Sequence, residues 1–95
     1  MSYDVIFDPG ALREFDKLPK AQQRRIADLI DSLAEDPRPA RAEKMTGVDA
    51  YKVRVRDYRV VYAVKDEVLL VLVVKVGNRR DVYKDIGTIR KRLKK

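Results

Sequence analysis

The stretch from Ala50 to Tyr62 is read as an alternation of apolar and polar positions. Tyr51, Val53 and Val55 fall on one side of an extended strand, and Lys52, Arg54 and Arg56 on the other, because strand side chains repeat with period two. Asp57 punctuates the run. Tyr58, Val60, Tyr62 and Val64 then repeat the apolar side, with Arg59 opposite. The pattern predicts two neighbouring strands joined across Arg56-Asp57-Tyr58, each projecting cations from a scaffold buried on one side. Upstream, Tyr3, Val5 and Phe7 alternate in a short strand stopped by Asp8-Pro9-Gly10. Asp8 suits a helix N-cap and Pro9 the first helical position. Leu12, Phe15 and Leu18 follow at helical spacing, with Arg13, Glu14, Asp16 and Lys17 expected to face out. Pro19 ends that helix. A second begins at Lys20, with Ala21, Ile26, Leu29, Ile30 and Leu33 as its apolar stripe. Asp36-Pro37-Arg38-Pro39 stops it, since the residue before a proline avoids the helical region.

Ala40 to Asp49 reads as a polar connection, with a helical turn near Ala42 to Met45. Lys65-Asp66-Glu67 is expected to make a hairpin turn. Val68 to Val76 is apolar on both faces, the mark of a central strand covered on each side. Gly77-Asn78 ends it. Arg79 to Tyr83 is expected to be extended or irregular, and Asp85 to Leu93, with Ile86, Ile89 and Leu93 in phase, to form a short basic helix. The expected fold is therefore α+β, in the order β-α-α-β-β-β plus a helical tail. It comprises an N-terminal strand and a helical hairpin packed on one face of a small, mostly antiparallel sheet. The hairpin covers one face only, so the cations belong on the other, bounded at one end by Arg79, Arg80 and Tyr83. A solvated outer face is the plainer account of such a stripe, and edge cations also discourage aggregation.

Composition changes that balance. The 95 residues fit one domain, residues 1–95, and carry 22 Lys plus Arg against 15 Asp plus Glu, a net charge of +7. Such an excess points to an anionic partner. The chain contains no cysteine and no histidine. This excludes disulfides, thiol nucleophiles, histidine triads and histidine metal sites. Catalysis would fall to carboxylates, Lys, Arg, Tyr or hydroxyls. Met1 to Phe7 does not read as a signal peptide, and Val68 to Val74 is far short of a membrane span. No membrane role and a cytoplasmic location are expected.

The helical hairpin, Tyr51-Lys52-Val53-Arg54-Val55-Arg56, Tyr58-Arg59-Val60-Val61-Tyr62 and Val76-Gly77-Asn78-Arg79 followed by Val82-Tyr83 together resemble the RelE branch of the RelE/ParE toxin superfamily. The resemblance spans essentially the whole chain and implies a RelE-like fold. It also implies a ribosome-dependent endoribonuclease that cuts mRNA in the ribosomal A site, with no metal or cofactor. The ribose 2′-OH attacks the adjacent phosphate, which requires a base, charge on the non-bridging oxygens and an acid for the leaving oxygen. By resemblance Tyr83 is the base, and Lys52 and Arg54 tune it while gripping phosphate. Arg59 stabilises the phosphoryl oxygens, and Arg79 serves the leaving group or the phosphate; Arg80 is able to exchange roles with it. A phenol ionises near pH 10 in model compounds, too high for a base at neutral pH unless cations lower it. Arg54 stands where family members often carry Lys, and the segment from Arg79 to Tyr83 is shorter than in some relatives. Arg56, Arg80, Arg90 and Lys91 are further candidates for contacts with nucleic acid.

The same resemblance implies partners: a RelB-like antitoxin, the ribosome and mRNA, and a toxin–antitoxin hetero-oligomer. Two other readings share the fold. One is a ParE-like poison of DNA gyrase, and the other an inactive relative that binds RNA or antitoxin without cutting.

Overall fold

A computed structural model describes residues 2–94. Strand β1 (Asp4–Phe7) leads into helices α1 (Pro9–Asp16) and α2 (Lys20–Glu35). Strands β2 (Glu43–Lys44), β3 (Tyr51–Val55), β4 (Tyr58–Lys65) and β5 (Leu70–Asn78) follow, and helices α3 (Arg79–Lys84) and α4 (Ile86–Leu93) come last. The five strands form one sheet in the order β1-β5-β4-β3-β2. Only β1 runs parallel to its neighbour, with Asp4 opposite Leu70 and Phe7 opposite Val73. The sequence expectation of an α+β fold with a helical hairpin on one face and a helical tail is met.

The sheet separates two apolar layers. On one side Ile26, Leu29, Ile30 and Leu33 of α2 pack against Val53, Val60, Tyr62, Val71, Val73 and Val76. On the other, Val82 and Ile89 from α3 and α4 pack with Met45, Ala50, Val61 and Val74. This explains why β5 is apolar from Leu70 to Val74: both of its faces are covered there. Val73 and Val76 share a face although they are three residues apart, which an unbroken strand forbids. The register slips between Val61, opposite Lys75, and Tyr62, opposite Val73. Val74 is the extra residue of this β-bulge.

Past Val73, β5 has lost β1, because the chain turns at Asp8 to start α1. Asp8 caps that helix by accepting from the Gly10 amide at 2.8 Å, with Pro9 at its start. The unpaired edge of β5 is instead satisfied by side chains. The Val76 amide donates to Glu14 Oε1 at 3.2 Å, and Arg92 Nη1 donates to the Val74 carbonyl at 2.9 Å. Glu14 also accepts from Arg92 Nη1 at 3.0 Å and from Lys75 Nζ at 2.7 Å, and Lys75 reaches Asp85 at 2.9 Å. Arg92 lies so close over Gly10 that a Cβ there would strike its guanidinium. Burial of Lys75 opposes its charge, but the bonds to Glu14 and Asp85 outweigh it and hold its pKa above the ordinary lysine value.

The sequence expectation for α1 needs correcting on this point. Its inward face is Ala11, Glu14, Phe15 and Leu18, while Leu12 is 45% exposed. A carboxylate occupies the stripe because β5 offers it an ammonium and a free amide. Ala21, in the first turn of α2, is exposed. The connection after α2 holds a two-residue strand, β2, in place of the expected helical turn; it pairs Glu43 with Lys52 and Lys44 with Tyr51. The segment from Arg79 is a helix and not irregular chain, because the Asn78 side chain accepts from the Asp81 amide at 3.0 Å and caps it.

The β4–β5 turn is tied to two distant segments. Asp66 takes a bidentate contact from Arg38 (3.1 and 2.7 Å) and a hydrogen bond from the Tyr3 hydroxyl at 2.7 Å. The Arg38 bonds, followed by the Tyr3 bond, hold the Asp66 carboxyl down to about 2. A carboxyl whose pKa is depressed on folding stabilises the fold above its unfolded value of about 3.9 and loses that contribution as pH falls toward the folded value. The urea midpoint is therefore expected to drop between pH 4 and 2, and to drop less in Asp66→Asn. Equal acid limbs in the two proteins would count against this role for Asp66.

Candidate nucleic-acid interface and catalytic site

The cations of β3 and β4 emerge on the face shared with α3 and α4. Arg54 and Arg59 are direct cross-strand partners. Like charges placed opposite each other disfavour the pairing, so the sheet holds here an arrangement that an anion would relieve. The hairpin tip completes the site. Only Arg56 and Asp57 lie between β3 and β4, and Arg56 adopts φ +57°, a left-handed conformation that side chains seldom occupy. Arg54 Nε donates to the Arg56 carbonyl at 3.0 Å, and the Arg79 amide donates to the Asp57 carbonyl at 3.2 Å. The tip is thus locked from below by β3 and from the side by the start of α3. Arg56→Gly is expected to raise the urea midpoint by relieving the turn, by up to about 1 kcal/mol, while weakening the binding of single-stranded RNA. A lower midpoint would show that the turn carries no strain.

Arg54, Arg56, Asp57, Arg59, Asn78, Arg79 and Arg80 line one hollow of about 280 Å³. Beside it, Arg41, Glu43, Lys52, Arg54 and Arg59 line a smaller one of about 150 Å³. Lys52 therefore stands on the far side of the Arg54–Arg59 pair from Arg79 and Arg80. Its ammonium lies 4.0 Å from Glu43, whose side chain is 74% exposed. The arrangement suits a chain of phosphates better than a single small ligand. Guanidiniums supply fixed forks for phosphate oxygens, and their long-range field draws in a polyanion.

The structure brings together Arg54, Arg56, Arg59, Arg79 and Arg80, with Lys52 adjacent. Arg56 belongs to the turn and not to the strand stripe. The side chain of Tyr83 lies outside the described residues; its backbone belongs to α3, on the same side of the sheet. Arg90 and Lys91 are not brought to this site. Arg90 donates twice to the Gly47 carbonyl, at 3.1 and 3.3 Å, and borders a separate hollow with Val48, Asp49 and Lys65. Arg41 and Glu43 were missed, since the connection that carries them has no periodicity to place them. The Asn78 cap was also missed; Asn three residues before Asp81 was its available signal.

Residues 5–83 match the profile of the ParE toxin of type II toxin–antitoxin systems. The chain belongs to this toxin family. Several of its relatives there carry the RelE name. A RelE-like toxin protein of Escherichia coli is 41% identical over 88 residues, 87% of this chain and 92% of the relative. The mRNA interferase toxin RelE of Escherichia coli K12 is 37% identical over 90 residues, 90% of this chain and 94% of that one. Among solved structures, a free Escherichia coli RelE with two arginines replaced by alanine superimposes with a TM-score of 0.75. It shares 35% identity and covers 88% of this chain and 93% of its own. RelE in the intact Escherichia coli RelBE complex gives a TM-score of 0.73 at 36% identity, covering 81% and 96%. The toxin sits in the RelE branch of the superfamily, as the sequence motifs implied.

Proposed function

We propose that this toxin is an mRNA interferase: an endoribonuclease that cuts mRNA in the A site of the ribosome, within one domain spanning residues 1–95. The observation that carries the reading is the convergence of Arg54, Arg59, Arg79 and Arg80 on one hollow, with Lys52 next to it. Relatives that share 37% of the sequence and carry the name mRNA interferase support it, and favour it over gyrase poisoning.

By the family resemblance the chemistry uses no metal and no cofactor. The ribose 2′-oxygen forms a bond to phosphorus, and the bond from phosphorus to the 5′-oxygen breaks. The products are a 2′,3′-cyclic phosphate and a 5′-hydroxyl. Tyr83, as phenolate, takes the 2′-proton, with the cations around the site favouring the ionised phenol. Arg59 and Arg54 stabilise the charge that builds on the non-bridging oxygens, and Lys52 grips the phosphate while tuning the base. Arg79 steadies the charge on the leaving 5′-oxygen electrostatically, since a guanidinium does not readily yield a proton, and water supplies the proton that completes the 5′-hydroxyl. Arg56 and Arg80 hold the strand through flanking phosphates.

A cognate antitoxin completes the system, as in the RelBE complex of Escherichia coli. It would be acidic in part where it meets the cationic face, so its affinity should fall as salt rises; a salt-insensitive affinity would count against that contact. No helix among the described residues is long and apolar enough to cross a membrane, and the toxin works in the cytoplasm with the ribosome. The test is primer extension on mRNA in a translating extract, with and without ribosomes. Cuts confined to A-site codons and absent from naked mRNA are expected. No cuts in either sample would return the gyrase-poison reading to first place.

A further inference from the structure

The smaller hollow contains a residue that neither the alternating pattern nor the resemblance singled out. Arg41 lies in the connection between α2 and β2, is exposed, and has no acidic ion-pair partner among the described residues. It faces Lys52, Arg54 and Arg59 across about 150 Å³. Every side chain lining that space is charged, and four of the five are cations. No apolar side chain lines it. Arg54 and Arg59 line this hollow and the larger one alike, so the two are neighbours on either side of a shared guanidinium wall. A strand of nucleic acid that places one phosphate at this wall has its next phosphate within reach on either side. We propose that the hollow closed by Arg41 is a second phosphate subsite, which holds the backbone phosphate adjacent to the scissile one. This inference rests on the RNA-cleaving reading above.

Glu43 gives the subsite a second property. Its carboxylate stands in the same wall, opposite Lys52 in the β2–β3 pairing, with the two charged groups 4.0 Å apart. A phosphate entering the hollow must compete with this carboxylate for Lys52. Arg41 and Glu43 therefore act with opposite signs: one draws the strand in, and the other limits how tightly it is held.

The test is the salt dependence of binding to a short single-stranded 2′-O-methyl RNA, followed by fluorescence anisotropy; the methyl groups block the attacking hydroxyl. Removing one phosphate contact lowers the log–log salt slope by about 0.7, so Arg41→Ala should show that decrease. Its affinity at low salt should weaken by about tenfold. Arg41→Lys should keep most of the slope, and Glu43→Gln should bind more tightly than the native chain. Arg24→Ala, on the exposed side of α2, should match the native chain. In ribosome-dependent cleavage Arg41→Ala should raise KM and leave kcat in place. An unchanged slope in Arg41→Ala, with cleavage by the native chain intact, overturns the subsite and spares the nuclease. So does weaker binding by Glu43→Gln. A native chain that neither cuts mRNA on ribosomes nor binds the RNA overturns both. An Arg41→Ala variant that keeps its RNA slope but loses affinity for the antitoxin would assign the hollow to an acidic peptide and overturn the proposal.

Discussion

Tyr83→Phe is expected to slow A-site cleavage by about a thousandfold, within the range for loss of a positioned general base, while the variant still binds ribosomes. The substitution removes one oxygen and keeps the ring, so the proton acceptor is lost with little change in side-chain volume. The reasoning depends on the surrounding charge. Arg54, Arg59, Arg79 and Arg80 converge on one hollow, and cations nearby favour the ionised phenol. The signature of a lost base is a fall in kcat with ribosome affinity retained. Arg59→Ala is a companion with a different signature. It removes charge stabilisation from the phosphoryl oxygens, should cost about a hundredfold, and should weaken the hold on phosphate as well. Equal loss of binding and cleavage in Tyr83→Phe would recast the tyrosine as a structural residue.

Glu14→Ala is expected to destabilise the fold by about 3 kcal/mol, the range for breaking a buried ion pair together with a hydrogen bond to a charged group. In a chain of this size that corresponds to roughly 10–20 °C in Tm. The carboxylate serves three donors at once: the ammonium of Lys75, the guanidinium of Arg92 and the Val76 amide. Alanine leaves the amide on an open strand edge and takes one of the two acids from Lys75, whose side chain is 7% exposed. Glu14→Gln should cost less, because its amide oxygen still accepts one hydrogen bond. A loss below about 1 kcal/mol in Glu14→Ala would mean that water replaces the carboxylate at no great expense. Urea titration of the three proteins decides between these outcomes.

Strand periodicity made most of the sheet legible. The β3 run alternates cleanly, whereas β4 does so only to Val60, since Val61 is buried on the second face; their register places Arg54 against Arg59, which the sequence put on one face without revealing that they are partners. The doubly apolar Val68–Val76 run announced a strand with both faces covered, although the strand begins at Leu70 and Val68 lies exposed in the turn before it. The misses share a physical cause: a polar side chain that answers a backbone group far away in sequence. Glu14 faces in because a β5 amide 62 residues later needs an acceptor. β2 exists because β3 has an open edge, and nothing within Glu43-Lys44 announces it. Arg79–Lys84 is helical because Asn78 caps it, a signal that reads equally well as the end of a strand. At the site, the resemblance supplied Lys52, Arg54, Arg59, Arg79 and Tyr83 as candidates. Arg41 required coordinates, since its connection carries neither period nor motif.

The parallel pairing of β1 with β5 also bears on when the toxin comes into being. Asp4 meets Leu70 and Phe7 meets Val73, so the first strand waits for nearly the whole of the sheet to be synthesised before it has a partner. Closing so long a loop is slow, and contacts of that span are made late in folding. The cationic face depends on the same late strand, because α3 grows directly from the end of β5. A nascent chain on its own ribosome would therefore carry most of the protein's mass before it carries a working site. The interval between synthesis and activity is one in which an antitoxin helix or strand could dock onto a partly assembled sheet.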